Sequence, residues 1–124
     1  MFSDHHKAYA QSLNGLLGKA ASNTRNEGLY STFAAQLTSA QAISRVLQSV
    51  ENTMVATHTD ILSSLEGLDG ATLVASIITV EARHAAVFGT LPNSNLSSAL
   101  NSAASSLAPN AAPAATTTET TVAP

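Results

Sequence analysis

From Thr38 or Ser39 to about Leu65 the chain contains neither proline nor glycine. A helix of that length spans roughly 40 Å, enough to cross a whole small domain. Its apolar residues Ile43, Leu47, Val50, Met54, Ile61 and Leu65 recur at spacings of three and four, which is the period of one buried helix face. Glu51 and His58 lie within that stripe, two turns apart. A chain obliged to bury such a face needs other helices to pack against it.

Two more segments supply them. Ser3 is the expected N-cap of a first helix over about residues 3 to 20, with Asp4 near the positive end of its dipole. Phe2, Tyr9, Leu13, Leu16 and Leu17 form its stripe; His6 falls on the stripe and His5 at its edge. Residues 21–28 read as turn chemistry, and Leu29 to Leu37 as a short helix or packed loop. Gly67, Asp69 and Gly70 interrupt the chain, and Asp69 is the expected cap of a last long helix that runs to about Gly89 and stops before Pro92. Its expected stripe is Leu73, Ile77, Val80, His84, Val87 or Phe88, and Leu91, with Glu81 and His84 one turn apart.

Composition agrees with an all-α chain. Apolar residues are 44% of the 124, aromatics only 4%, and Ala and Leu dominate, a palette suited to close-packed helices. Residues 1–92 are expected to form one helical domain. Residues 93–124 are read as a low-complexity Ala/Ser/Thr/Pro tail, with a weak helix around Leu96, Leu100 and Leu107 and disorder from about residue 108. Five scattered Lys and Arg residues give no footprint for a phosphate backbone, so nucleic acid is not an expected partner. The lack of cysteine excludes thiolate chemistry. No transmembrane segment is expected, and the first residues carry no secretory pattern. Neither a Gly-x-Ser-x-Gly elbow nor a phosphate loop is present, and catalysis is not assigned.

Charged residues are only 10% of the chain, so ionisable groups on apolar faces carry information. A lone buried carboxylate is costly and calls for compensation. Glu81 and His84, three apart, project side by side and can offer a carboxylate oxygen and an imidazole nitrogen to one ion. Glu51 and His6 are the expected companions, with His5 and His58 peripheral. The plainer account makes Glu81 and His84 a hydrogen-bonded polar pair, Glu51 either a core-edge carboxylate snorkelling to solvent or a partner of His84, His58 an interface histidine, and His5 and His6 polar residues at a helix start.

Asp4-His5-His6-Lys7-Ala8 with Leu13-Asn14-Gly15-Leu16-Leu17, the stretch Leu47 to Val50 before Glu51, and above all Val80-Glu81-Ala82-Arg83-His84-Ala85-Ala86 resemble the ferritin-like domain proteins of actinobacteria, over about residues 2 to 91. The resemblance implies a four-helix, ferritin-like antiparallel bundle, often exported or envelope-associated and mostly of uncharacterised function; the oxygen-rich donors with imidazole suit iron or manganese as cofactor. It also implies a further helix, carrying a Glu, ahead of this one, and a His where Tyr9 stands. An in-frame helix and export signal upstream of Met1 would account for the first difference. Without that helix the bundle is incomplete, with three main helices and one short one, and self-association or a partner helix is expected to cover it. The alternative function is a non-catalytic structural or partner-binding module that has lost the metal site.

Overall fold

The computed structural model describes residues 1–22, 24–92, 95–101 and 103–107; the expected disorder after residue 108 lies outside them. The described residues are mostly helical and contain no strand: α1 (Phe2–Leu17), a 3-10 turn (Gly18–Ala20), α2 (Glu27–Ala34), α3 (Ala40–Leu62), α4 (Leu68–Thr90) and α5 (Leu96–Leu100). The all-helical expectation holds, and the three long helices are the three foreseen.

Their ends differ in instructive ways. Met1, not Ser3, caps α1, because the terminal ammonium binds Asp4 Oδ2 at 2.9 Å and the helix starts one residue earlier. Ser39 caps α3 as expected, its side chain accepting from the Ala42 N–H. At α4 the cap is Gly67, not Asp69. Gly67 takes φ +106°, a conformation open chiefly to glycine, which lets the chain reverse within a few residues and enter the helix at Leu68. Asp69 then sits in the first turn, where the helix dipole favours a carboxylate.

α3 and α4 form an antiparallel hairpin that provides the core. Val74, Ile77, Ala85 and Phe88 are buried on α4, together with Glu81 and His84. Ile77 and His84 of the expected stripe are buried, and of the alternatives Val87 and Phe88 it is Phe88 that faces inward; Val74 replaces Leu73, while Val87 is 43% and Leu91 68% exposed. Ile43, Ile61 and Leu65 also remain partly in solvent. By length and composition alone α4 is apolar enough to cross a membrane, a test that the core helix of a bundle also passes. Its ionisable residues Glu81 and His84 are instead buried in the bundle.

α1 meets the hairpin through its first two turns. Phe2 packs edge-on to His84 and against Phe88, with centroids 4.7 and 4.6 Å apart, whereas Leu16 and Leu17 at the far end of α1 stay exposed. A different face of α4 receives the segment after Pro92. There Gln48 donates from Nε2 to the Ala99 carbonyl at 2.7 Å, Ala99 is buried, and farther along α3 the Leu107 N–H reaches Thr57 Oγ1 at 3.0 Å. Gly89 makes this approach possible, since a Cβ there would stand 2.7 Å from the Ala99 carbonyl oxygen and collide with Gln48. Residues beyond the third long helix thus cover part of the hairpin that the sequence leaves open.

Candidate metal centre

Three elements converge on the middle of the α3–α4 hairpin. The antiparallel run of these helices sets the pairings: as α3 advances from Glu51 to His58, α4 retreats from His84 to Glu81. Glu51 Oε1 lies 3.2 Å from His84 Nδ1, and Glu81 Oε2 lies 2.8 Å from His58 Nδ1. From α1, His6 Nε2 reaches the same Glu51 Oε1 at 3.0 Å. His5, one residue earlier, places Nδ1 2.8 Å from His84 Nε2.

His6, Glu51 and His84 each offer one ligand atom within 4.8 Å of the others, a spacing compatible with one metal ion. Glu51 and His84 are buried, and His6 is about one-third exposed. These are three of the four principal residues singled out by the sequence. Glu81, the fourth, is fully buried but is drawn to His58 and stands outside that group of three. Spacing along a single helix put Glu81 beside His84; it could not reveal that α3 presents a separate partner to each. His5 and His58 have specific partners as well, one on each of those α4 residues.

Two oxygens of this constellation, Glu51 Oε2 and Glu81 Oε1, are buried without a hydrogen-bond partner. Buried carboxylate oxygens are ordinarily satisfied, so each orphan marks a place where a cation or a donor is wanted. The negative field has visible effects. The His6 imidazole is raised above its ordinary value, first by its hydrogen bond to Glu51 and then by the charges of Glu51 and Glu81, against an opposing burial cost. Burial raises the Tyr9 phenol, and the charges of Glu81 and Glu51 add to the effect. Tyr9 lies close to both α1 histidines, its ring centroid 6.5 Å from His5 and 6.2 Å from His6.

Sequence reasoning missed the aromatic packing around His84. Phe2 presses on one side of the imidazole while His5 meets its edge through the Nδ1–Nε2 contact, the two rings nearly parallel, with centroids 5.1 Å apart and 6° between planes. The signal was available in the spacing of Phe2 and His6 on α1, one turn apart on the same face. Beside the cluster a cavity of about 520 Å³ opens between α1 and α3, walled by Phe2, Leu47, Val50, Met54 and Phe88, with His6 and Glu51 also in its lining.

A family model described as a ferritin-like domain matches residues 1–94 of the chain. No curated protein and no solved structure matches it.

Proposed function

The chain belongs to the ferritin-like domain family, and on that premise we propose that it is a metal-binding protein whose His6, Glu51 and His84 hold one iron or manganese ion. The observation that carries this reading is the meeting of two imidazoles on one oxygen of a buried carboxylate whose other oxygen has no partner. Two histidines and one carboxylate with open positions form a donor set suited to Fe(II), and the mixed oxygen and nitrogen donors also suit manganese. Glu81 and His58 flank the ion as a second carboxylate–imidazole pair whose charge favours a cation nearby.

When bound, such an ion supplies Lewis acidity and, for iron, one-electron chemistry. The chain supplies position and shielding. Glu51 and His84 come from adjacent helices of the packed hairpin, and Phe2 and Phe88 lie against the cluster or its neighbour ring. His6 arrives on α1, the less tightly seated element, so its donor completes the set only when α1 is docked.

The test is titration of the full chain with Fe(II) under anaerobic conditions and with Mn(II), beside Glu51→Gln. Stoichiometric binding that the substitution abolishes supports the proposal. Equal, substoichiometric metal in both proteins removes it.

A second reading rests on a different observation, the apolar cavity of about 520 Å³ beside α1 together with the exposed Leu16 and Leu17. Such surfaces suit a partner helix or a second copy of the chain, and the module would then act by association rather than by metal binding. Sedimentation of the metal-free chain distinguishes the readings: a concentration-independent monomer removes self-association.

A further inference from the structure

We infer that His5 is not a metal ligand but a positioning residue, one that accepts a hydrogen bond from His84 and so fixes which nitrogen of His84 faces the metal. The inference rests on the metal-binding reading and concerns the next layer of that site.

A neutral imidazole carries one N–H and one lone pair, and an ion can use only the nitrogen with the lone pair. On His84 the nitrogen directed at the cluster is Nδ1, 3.2 Å from the same Glu51 oxygen that His6 contacts. Coordination through Nδ1 requires the ring proton to sit on Nε2. That Nε2–H needs an acceptor, and His84 is only 3% exposed, so bulk water is poorly placed to serve. His5 Nδ1, 2.8 Å away, is in position to accept.

The rest of the surroundings restrain the ring in the same sense. Phe2 meets it edge-on, and the near-parallel His5 ring prevents it from tilting without breaking the bond. Metal-ligating histidines generally depend on such a partner for the second nitrogen, and losing it costs metal affinity without removing a donor. If His5 were instead a direct ligand, its Nδ1 would have to leave His84 Nε2 and turn toward the ion. His84 would then lose the acceptor that its Nε2 has among the described residues.

The experiment uses Co(II) alone as the probe, titrated into the full chain, His5→Phe and His5→Asn, with the visible d–d spectrum recorded at saturation. His5→Phe keeps an aromatic ring at this position and removes the acceptor; its affinity falls by about 10- to 100-fold, and the spectrum at saturation keeps the wild-type band shape. His5→Asn, whose side-chain oxygen can stand near the place of Nδ1, recovers most of the loss. Helical circular dichroism of each variant is measured alongside, so that an unfolded protein is recognised, and recovery in His5→Asn then decides the matter. Wild-type affinity in His5→Phe overturns the inference while leaving the metal site intact. A changed d–d spectrum in both variants overturns it too, because it identifies His5 as a donor. Failure of the wild-type chain itself to bind Co(II) removes the metal-binding reading, and the role of His5 with it.

Discussion

His58 on α3 and Glu81 on α4 are joined at 2.8 Å, and Glu81 is so fully enclosed that this imidazole is its one interhelical hydrogen-bond partner among the described residues. The pair spans the hairpin one stage away from the Glu51–His84 contact, so among the described residues two carboxylate–imidazole crossings tie α3 to α4. Their value lies less in attraction than in what their loss would leave behind. A buried carboxylate without a partner keeps its desolvation cost and loses its compensation.

His58→Ala is accordingly expected to destabilise the metal-free chain by about 1–3 kcal/mol in urea unfolding, the cost of stranding a buried polar group. Replacing both partners, as in His58→Leu with Glu81→Met, is expected to restore most of the lost stability, because neither member is then left alone. A double variant no more stable than His58→Ala would show that the pair is not the source of the penalty.

The two Glu residues of the core are expected to separate functionally. Glu51→Gln removes the shared oxygen anion on which His6 and His84 converge and should abolish Fe(II) and Mn(II) binding. Glu81→Gln, outside the group of three, should retain binding with reduced affinity. Calorimetric titration of both variants checks this; the reverse order would place the ion between Glu81 and His58 instead.

Much of this arrangement was legible in the sequence, and the missing parts have physical causes. The proline-free length of α3, the Ser39 cap and the stop before Pro92 are local signals, and they correspond to the helices observed. His6, Glu51 and His84 could be nominated because charges are scarce and these fall on apolar stripes. The phase of α4 could not be fixed as well. Nearly every position from Ala71 to Val80 is apolar or small, so periodicity weakly distinguishes Leu73 from Val74, and packing against α3 makes the choice. Partner choice between Glu51 and Glu81 depends on the register of two helices, which no spacing within either one encodes. The covering of α3 and α4 by residues around Ala99 was illegible for a similar reason, since it depends on the missing side chain of Gly89 rather than on hydrophobicity.

Gly89→Ala tests that covering. The added Cβ would press on the Ala99 carbonyl and the Gln48 amide, and overpacking of this kind costs about 1–3 kcal/mol. The expected result is faster proteolysis around residues 95–107 and a modest loss of thermal stability, with helices α3 and α4 retained. Unchanged cleavage would mean that the close approach is absent in solution.

The raised His6 gives a pH dependence whose sign is fixed. Its value in the folded chain exceeds the ordinary one near 6.5 because Glu51 favours the protonated ring. The stability it contributes is therefore fully present below about 6.5 and is lost as pH rises through the raised value. Metal-free protein should accordingly hold α1 more firmly at pH 6 than at pH 8, as read by amide exchange of residues 2–17. Metal binding should follow the opposite course, since a ligating His6 must be unprotonated. His6→Gln should flatten both profiles over this range.

The seating of α1 through Phe2, His5 and His6 gives the N-terminal helix an unusual place in the molecule. Its far end, with Leu16 and Leu17 in water, contributes little to holding it, so the helix is tethered by His6, which would grip an ion, and by Phe2 and His5, which rest on His84. Occupancy of the centre and attachment of this helix are then one equilibrium seen from two ends. An ion held there would also govern, about three turns away, how freely the exposed leucines can swing toward another molecule.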